Sequence, residues 1–327
     1  METGPGLARW NLSTAEMIAV INDLGYNYPR AMLVFSGGEP LLRADVFSLA
    51  DRARAVGLAA SLATNGTLVT PELAARIATT GFSRVSVSLD GTRAETHDAL
   101  RRIEGSFEQA LRGLRLLRDA GQAVQINMSV TRRNVGEVEA MFRLAEAERA
   151  AALHVFIVVP VGCGAQLEES DRLSPAEYER FLHEFRRLSA ATAIDTKATC
   201  APQYARLTRD LVKREGGDDA AARSPGGVRR QAAGCLAGSG VCFINHRGEV
   251  YPCGYLPVRC GNVREMPLSQ IWRTSTVFAR LRQPDLLQGK CGDCDHRSIC
   301  CGCRARAYAA TGDYLAAEPD CLYQPKK

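Results

Sequence analysis

"LVFSGGEPLLR", residues 33–43, carries an apolar strand into a serine, two glycines, an acid and a proline. A tight turn needs one glycine. The pair Gly37–Gly38, followed by Glu39 and Pro40, implies a backbone that a ligand approaches closely, with a carboxylate fixed beside it. Outward from this stretch, strand-like runs recur at 31–36, 58–64, 84–89, 123–130 and 153–160. Amphipathic segments such as "RADVFSLADRARAVG" and "SFEQALRGLRLLRDAG" lie between them. Ser13 with Glu16 opens one helix as a capping box, and Ser174, Pro175 and Glu177 open another. Such alternation predicts parallel strands joined by right-handed crossovers, in an α/β fold. A curved, partly open barrel and a flat doubly wound sheet both satisfy the pattern, and either puts the chemistry at the carboxyl ends of the strands. "GGEP", "TNG" (64–66) and "SLDG" (88–91) all fall there.

A chain of 327 residues supports one large core, or one core with a smaller domain. The apolar run "LHVFIVVPVG" is too short to span a bilayer, and "METGPGLARW" has no signal-peptide core. The expectation is a cytoplasmic chain without a membrane partner. A net charge of +5 favours anionic ligands, but with 6% aromatic residues and no basic run among them it does not suggest nucleic acid.

Cysteine is the outlier. None of the twelve precedes Cys163, and nine lie between Cys235 and Cys303. Clustered thiols in a reducing compartment read as metal ligands. Cys235, Cys242 and Cys253 flank "FINHRGEVYP", a predicted hairpin with its turn at 245–248 in which His246 has a turn role. Cys260 follows, then Cys291-x2-Cys294-x5-Cys300-x2-Cys303, with Cys301 in the last gap and Cys321 beyond. C-x2-C pairs suit tetrahedral zinc and iron–sulfur clusters alike. Residues 200–234 start helical and turn rich in Gly, Ala and charge, which predicts a helical linker or lid.

With "GGEP", "ATNG", "VSVSLDG" and this cysteine ladder in one order, the chain resembles the radical S-adenosylmethionine enzymes that carry a SPASM domain. Cys235, Gly248 and Cys253 match the first half of the SPASM pattern; Cys291, Cys294, Cys300, Cys303 and Cys321 match the second, with the last inner gap one residue short. "SVTRRN", "KATCAPQY", "GCLAGSGVCFINHRGEVYPCGYL", "CGNVRE" and "CGCRARAYAATGDYLAAEPDC" are similar to tetrapyrrole-modifying members: the S-adenosylmethionine-dependent haem synthases and their haem d1-pathway relatives. The resemblance implies a partial (β/α)6 TIM-like barrel over 1–199, a linker or lid over 200–234 and a SPASM auxiliary-cluster domain over 235–327. It also implies that S-adenosylmethionine lies against Gly37, Gly38, Glu39 and Pro40. Thr64, Asn65, Ser88, Asp90, Arg101 and Asn127 would be further contacts. Cys235, Cys242, Cys253 and Cys303 would hold one auxiliary 4Fe–4S cluster, and Cys291, Cys294, Cys300 and Cys321 another. The family's CxxxCxxC loop, which holds the cofactor-cleaving cluster, has no counterpart here. The expectation is therefore an amino-terminally truncated chain, missing the first barrel strand and inactive as it stands.

In the family, a radical derived from S-adenosylmethionine removes hydrogen from a propionate of iron-coproporphyrin III; carbon dioxide leaves and a vinyl group forms. The resemblance thus implies an anionic tetrapyrrole substrate and an electron donor such as flavodoxin or ferredoxin. Cys200 is a candidate for contact with the substrate. Arg132, Arg133, Arg206, Arg209, Lys213, Arg214, Arg229, Arg230, Arg304 and Arg306 are candidates for a basic pocket. Two rivals are a SPASM enzyme that modifies peptides and a non-enzymatic zinc- or cluster-binding scaffold.

Overall fold

The computed structural model describes residues 11–167, 169–214 and 234–325. Six strands form one parallel sheet in sequence order: β1 Met32–Phe35, β2 Ala59–Thr64, β3 Arg84–Ser88, β4 Val124–Val130, β5 Ala152–Ile157 and β6 Asp195–Thr199. The first five lie where the apolar runs predict. The sixth was not among the expected strands: "DTKAT" is short and polar, and sits at a sheet edge beside β5.

Helices α1 Thr14–Asn27, α2 Val46–Ala55, α3 Pro71–Thr80, α4 Ala94–Arg101, α5 Ser106–Asp119, α6 Val138–Ala147 and α7 Pro175–Ala190 precede or connect these strands. Both expected capping boxes are present, at Ser13–Glu16 and Ser174–Glu177. Alternate strand residues face opposite ways. Val85, Val87, Ile126, Met128, Val130, Leu153 and Val155 enter the core beneath the helices. The other face is polar, with Ser86, Ser88, Gln125, Asn127 and His154 in adjoining registers.

That inner face is curled. Arg84 Nη1 donates to Asp195 Oδ2 at 3.1 Å and to Gln125 Oε1 at 3.2 Å. β3 and β6 are three strand spacings apart, about 14 Å in a flat sheet, which is beyond the reach of Arg and Asp side chains. The ion pair therefore crosses the concave side and floors a half-barrel at the amino ends of its strands, excluding the flat alternative.

Within the stretch expected as linker or lid, α8 Gln203–Arg214 is a packed helix. It buries Ala205 and Leu207 and lies against α7. Residues 215–233, the Gly- and Ala-rich part of that expectation, lie outside the described residues. A small antiparallel sheet follows: β7 Phe243–Ile244, β8 Glu249–Tyr251 and β9 Gly261–Asn262. Its first turn is the expected hairpin turn, tied by Asn245 Oδ1, which accepts from the Arg247 and Glu249 amides. Short helices complete the module: α9 Leu268–Thr274, α10 Thr276–Leu281, α11 Gly289–Gly292, α12 Arg297–Cys300 and α13 Arg304–Thr311. It is fastened to α1, where Asp23 accepts from Ser269 and Glu16 pairs with Arg264 at 2.6 Å. Among the described residues no helix is long and apolar enough to cross a membrane.

Candidate functional site

Parallel strands place all their carboxyl ends on one rim. At the end of β1, Gly37 has φ +127°, which an L side chain rarely adopts, and a Cβ on Gly37 or Gly38 would meet nothing within 4 Å. The glycines thus leave an open, exposed stretch of backbone. Glu39 is not free beside it: its Oε1 accepts from Leu41 N (3.1 Å) and Thr64 Oγ1 (2.8 Å), and its Oε2 from Asn65 N (2.8 Å). Its carboxylate welds the first rim loop to the second. Pro40, buried, starts the short turn Pro40–Leu42 that follows.

Asp90 is likewise a joint. Its carboxylate accepts from Ser129 N at 2.7 Å and pairs with Arg101 Nε at 2.7 Å, while its carbonyl accepts from Asn134 Nδ2 at 2.6 Å. Asp90 therefore ties the end of β3 to the end of β4. Ser88 and Asn127 are register partners on the inner face, both half-buried, with Asn127 Oδ1 accepting from Gln125 Nε2 at 2.6 Å. The rim thus carries Gly37, Gly38 and Asn65 at the strand ends with Ser88 and Asn127 on the concave face, while Thr64, register partner of the core residue Val87, is buried beneath them and anchors Glu39. Glu39 and Asp90 hold its shape.

The cysteines with described side chains fall into three groups. Cys291, Cys294, Cys300 and Cys321 line one cavity, together with Cys301, Gln203 and Arg206. Three N–H groups donate to sulfur there: Glu318 N to Cys291 Sγ (3.3 Å), His296 N to Cys294 Sγ (3.4 Å) and Arg304 Nη2 to Cys291 Sγ (3.8 Å). Gln203 Nε2 is buried at this cavity without a hydrogen-bond partner among the described residues.

A second group gathers Cys200, Cys253 and Cys303 in one apolar cluster with Val159, Leu256 and Ala305. Cys235 lies within electrostatic range of all three, and also of Cys301 at the neighbouring cavity. Burial pushes the Cys253 thiol up to about 11 and the Cys303 thiol up to about 12. Thiols this buried stay neutral unless a cationic group offsets the desolvation. The third group is Cys242 with Cys260, in a separate apolar cluster around Val250, Leu268, Ile271 and Phe278.

The first two groups suit iron–sulfur clusters in donor chemistry. Among the described residues no three Cys, His, Asp or Glu side chains gather at one ion-sized point. Cys291, Cys294, Cys300 and Cys321 share one cavity lining, and four thiolates are the donor set of a four-iron cluster. Between the groups, Gly234 N donates to Ile299 O (2.8 Å) and Cys235 N to Cys300 O (3.0 Å).

A buried clasp holds the second group. Arg306 and Glu318 have side chains 2% and 0% exposed and pair at 3.0 Å. Arg306 Nη1 also donates to Cys200 O (2.8 Å), while Glu318 Oε2 accepts from Cys303 N. Arg306 is therefore a structural cation, not a free member of a basic pocket. Arg132 is held by Glu177, Arg133 by Asp171, Arg206 by Glu179 and Arg304 by the Tyr314 and Ala316 carbonyls. Arg229, Arg230 and the Arg214 side chain lie outside the described residues. The role of Glu318 had no sequence signal beyond its nearness to Cys321.

Comparison with known proteins accounts for this combination of rim and thiols. The model of the Radical SAM superfamily matches residues 4–145, and that of the SPASM iron–sulfur cluster-binding domain matches 235–295. The chain is 49% identical over 316 residues to the AdoMet-dependent heme synthase of Methanosarcina barkeri, covering 97% of this chain and 89% of that protein. It is 43% identical over 332 residues to the AdoMet-dependent heme synthase of Nitratidesulfovibrio vulgaris, covering 100% and 87%. The crystal structure of Streptococcus suis SuiB superposes with a TM-score of 0.70 at 14% identity, over 94% of this chain and 71% of that one, and so shares the fold. The chain belongs to the radical SAM superfamily, among its members with a SPASM iron–sulfur domain.

Proposed function

We propose that this protein serves the oxidative decarboxylation of propionate side chains on an anionic tetrapyrrole, iron-coproporphyrin III being the first candidate and a haem d1 precursor the second. In that reaction a propionate loses a hydrogen atom from its β-carbon, then carbon dioxide and one electron, leaving a vinyl group. S-adenosylmethionine would supply the hydrogen-abstracting radical, and iron–sulfur clusters would supply and remove electrons. Gly37 and Gly38 would give the S-adenosylmethionine its close backbone approach. Asn65, Ser88 and Asn127 would line the rest of the rim. The cavity cysteines Cys291, Cys294, Cys300 and Cys321 would hold one auxiliary cluster. No cysteine stands among residues 1–162, so this chain's own thiols would serve auxiliary clusters and not the cofactor-cleaving one.

The observation that carries the reading is similarity to AdoMet-dependent heme synthases along almost the whole chain, 49% identity over 97% of it, joined to thiols packed against the half-barrel's rim. Electrons would come from a small carrier such as flavodoxin or ferredoxin in the cytoplasm. Titrating the reconstituted protein with iron-coproporphyrin III tests the substrate class. A saturable Soret shift is expected. An unchanged Soret band at saturating protein would count against a tetrapyrrole and favour a peptide substrate.

A further inference from the structure

The thiol grouping departs from the set implied by family resemblance. That set completes the first auxiliary site with Cys242, but Cys242 sits elsewhere. It packs with Cys260 in the apolar cluster under β8, and burial alone raises its thiol. The position beside Cys253 and Cys303 is taken by Cys200, one residue past the end of β6.

Cys200 is held there by more than apolar packing. Its backbone is left-handed, φ +56°, an uncommon conformation for a residue with a Cβ. Its carbonyl accepts from Arg306, whose partner Glu318 accepts from the Cys303 amide. One buried ion pair therefore positions both Cys200 and Cys303. A merely space-filling cysteine would need neither the strained backbone nor the shared clasp.

We infer that Cys200, not Cys242, is the fourth thiolate of the first auxiliary cluster, with Cys235, Cys253 and Cys303. The cluster then bridges two parts of the chain: one ligand comes from the rim of the half-barrel and three from the C-terminal module. This rests on the reading of the module as a cluster carrier. It changes the role of Cys200 from a substrate contact to a ligand, and that of Cys242 from a ligand to a core thiol.

The test is iron and labile sulfide per chain, with the EPR spectrum of the dithionite-reduced protein, on anaerobically reconstituted wild type, Cys200→Ala, Cys200→Ser and Cys242→Ala. Circular dichroism checks that each variant is folded. Wild type should hold about eight irons. Cys200→Ala should fall towards about four and lose one of the two EPR signals. Cys200→Ser, with nearly the native side-chain volume, should at least shift that signal. Cys242→Ala should match wild type in both readouts. Wild-type iron and spectra in both Cys200 variants would overturn the assignment, as would loss of a cluster in Cys242→Ala. Iron absent from the wild type would instead bring down the cluster reading itself, and this inference with it.

Discussion

Gly37 and Gly234 carry two distinct constraints. Gly37 faces open space, so alanine there meets no neighbour and acts only through φ +127°. Gly37→Ala should cost about 1–3 kcal/mol of stability and weaken retention of S-adenosylmethionine in equilibrium dialysis; unchanged retention would remove Gly37 from the cofactor site. Gly234 is the reverse case: a Cβ would lie 2.1 Å from the Cys300 carbonyl oxygen. Gly234→Ala must therefore push Cys235 away from Cys300. It should lower bound iron by about four atoms per chain, measured after reconstitution. Full iron content would show that the two thiol groups do not depend on this contact. The sequence marks Gly37 but neither Gly234 nor Glu39's engagement with Thr64 and Asn65, because those contacts join loops 25 or more residues apart.

Among the elements, the loop after β3 is pinned by Glu137, which accepts from Thr92 N and Oγ1 (2.7 Å each), Arg93 and Thr96. Burial would raise its pKa, but hydrogen bonds from Thr96, Thr92 and Arg93 outweigh that and hold it at about 2, against 4.5 ordinarily. A depressed carboxylate stabilises the fold above its unfolded value and loses that contribution as pH falls from about 4.5 towards 2. Glu137→Gln should destabilise by about 2–3 kcal/mol at pH 7, with the gap to wild type closing below pH 3 or so in urea melts. A gap independent of pH would deny the carboxylate this role. Element order was largely legible: five strands announced themselves as apolar runs, and two helices as capping boxes. β6 did not, because an edge strand on a polar concave face carries Asp195, Lys197 and Thr199 where a buried strand would carry valines. The curl was equally hidden, since the pairing of Arg84 with Asp195 spans 111 residues.

Taken whole, the molecule is a half-barrel whose rim is met by a cysteine-rich module, fastened through α1 on one side and through the Arg306–Glu318 clasp on the other. The family resemblance grouped Cys291, Cys294, Cys300 and Cys321, and these four line one cavity. Spacing did not show that Cys242 packs with Cys260 while Cys200 lies beside Cys253 and Cys303, because position in the sequence does not fix which side of the hairpin a thiol packs on. Five of the candidate basic residues, Arg132, Arg133, Arg206, Arg304 and Arg306, are already held by carboxylates or carbonyls that composition cannot see. We read the module as the carrier of two auxiliary iron–sulfur clusters. The most direct measurement is iron, labile sulfide and zinc per chain after anaerobic reconstitution. About eight irons, matching sulfide and no stoichiometric zinc are expected. Stoichiometric zinc without iron would contradict it and make the module a zinc scaffold.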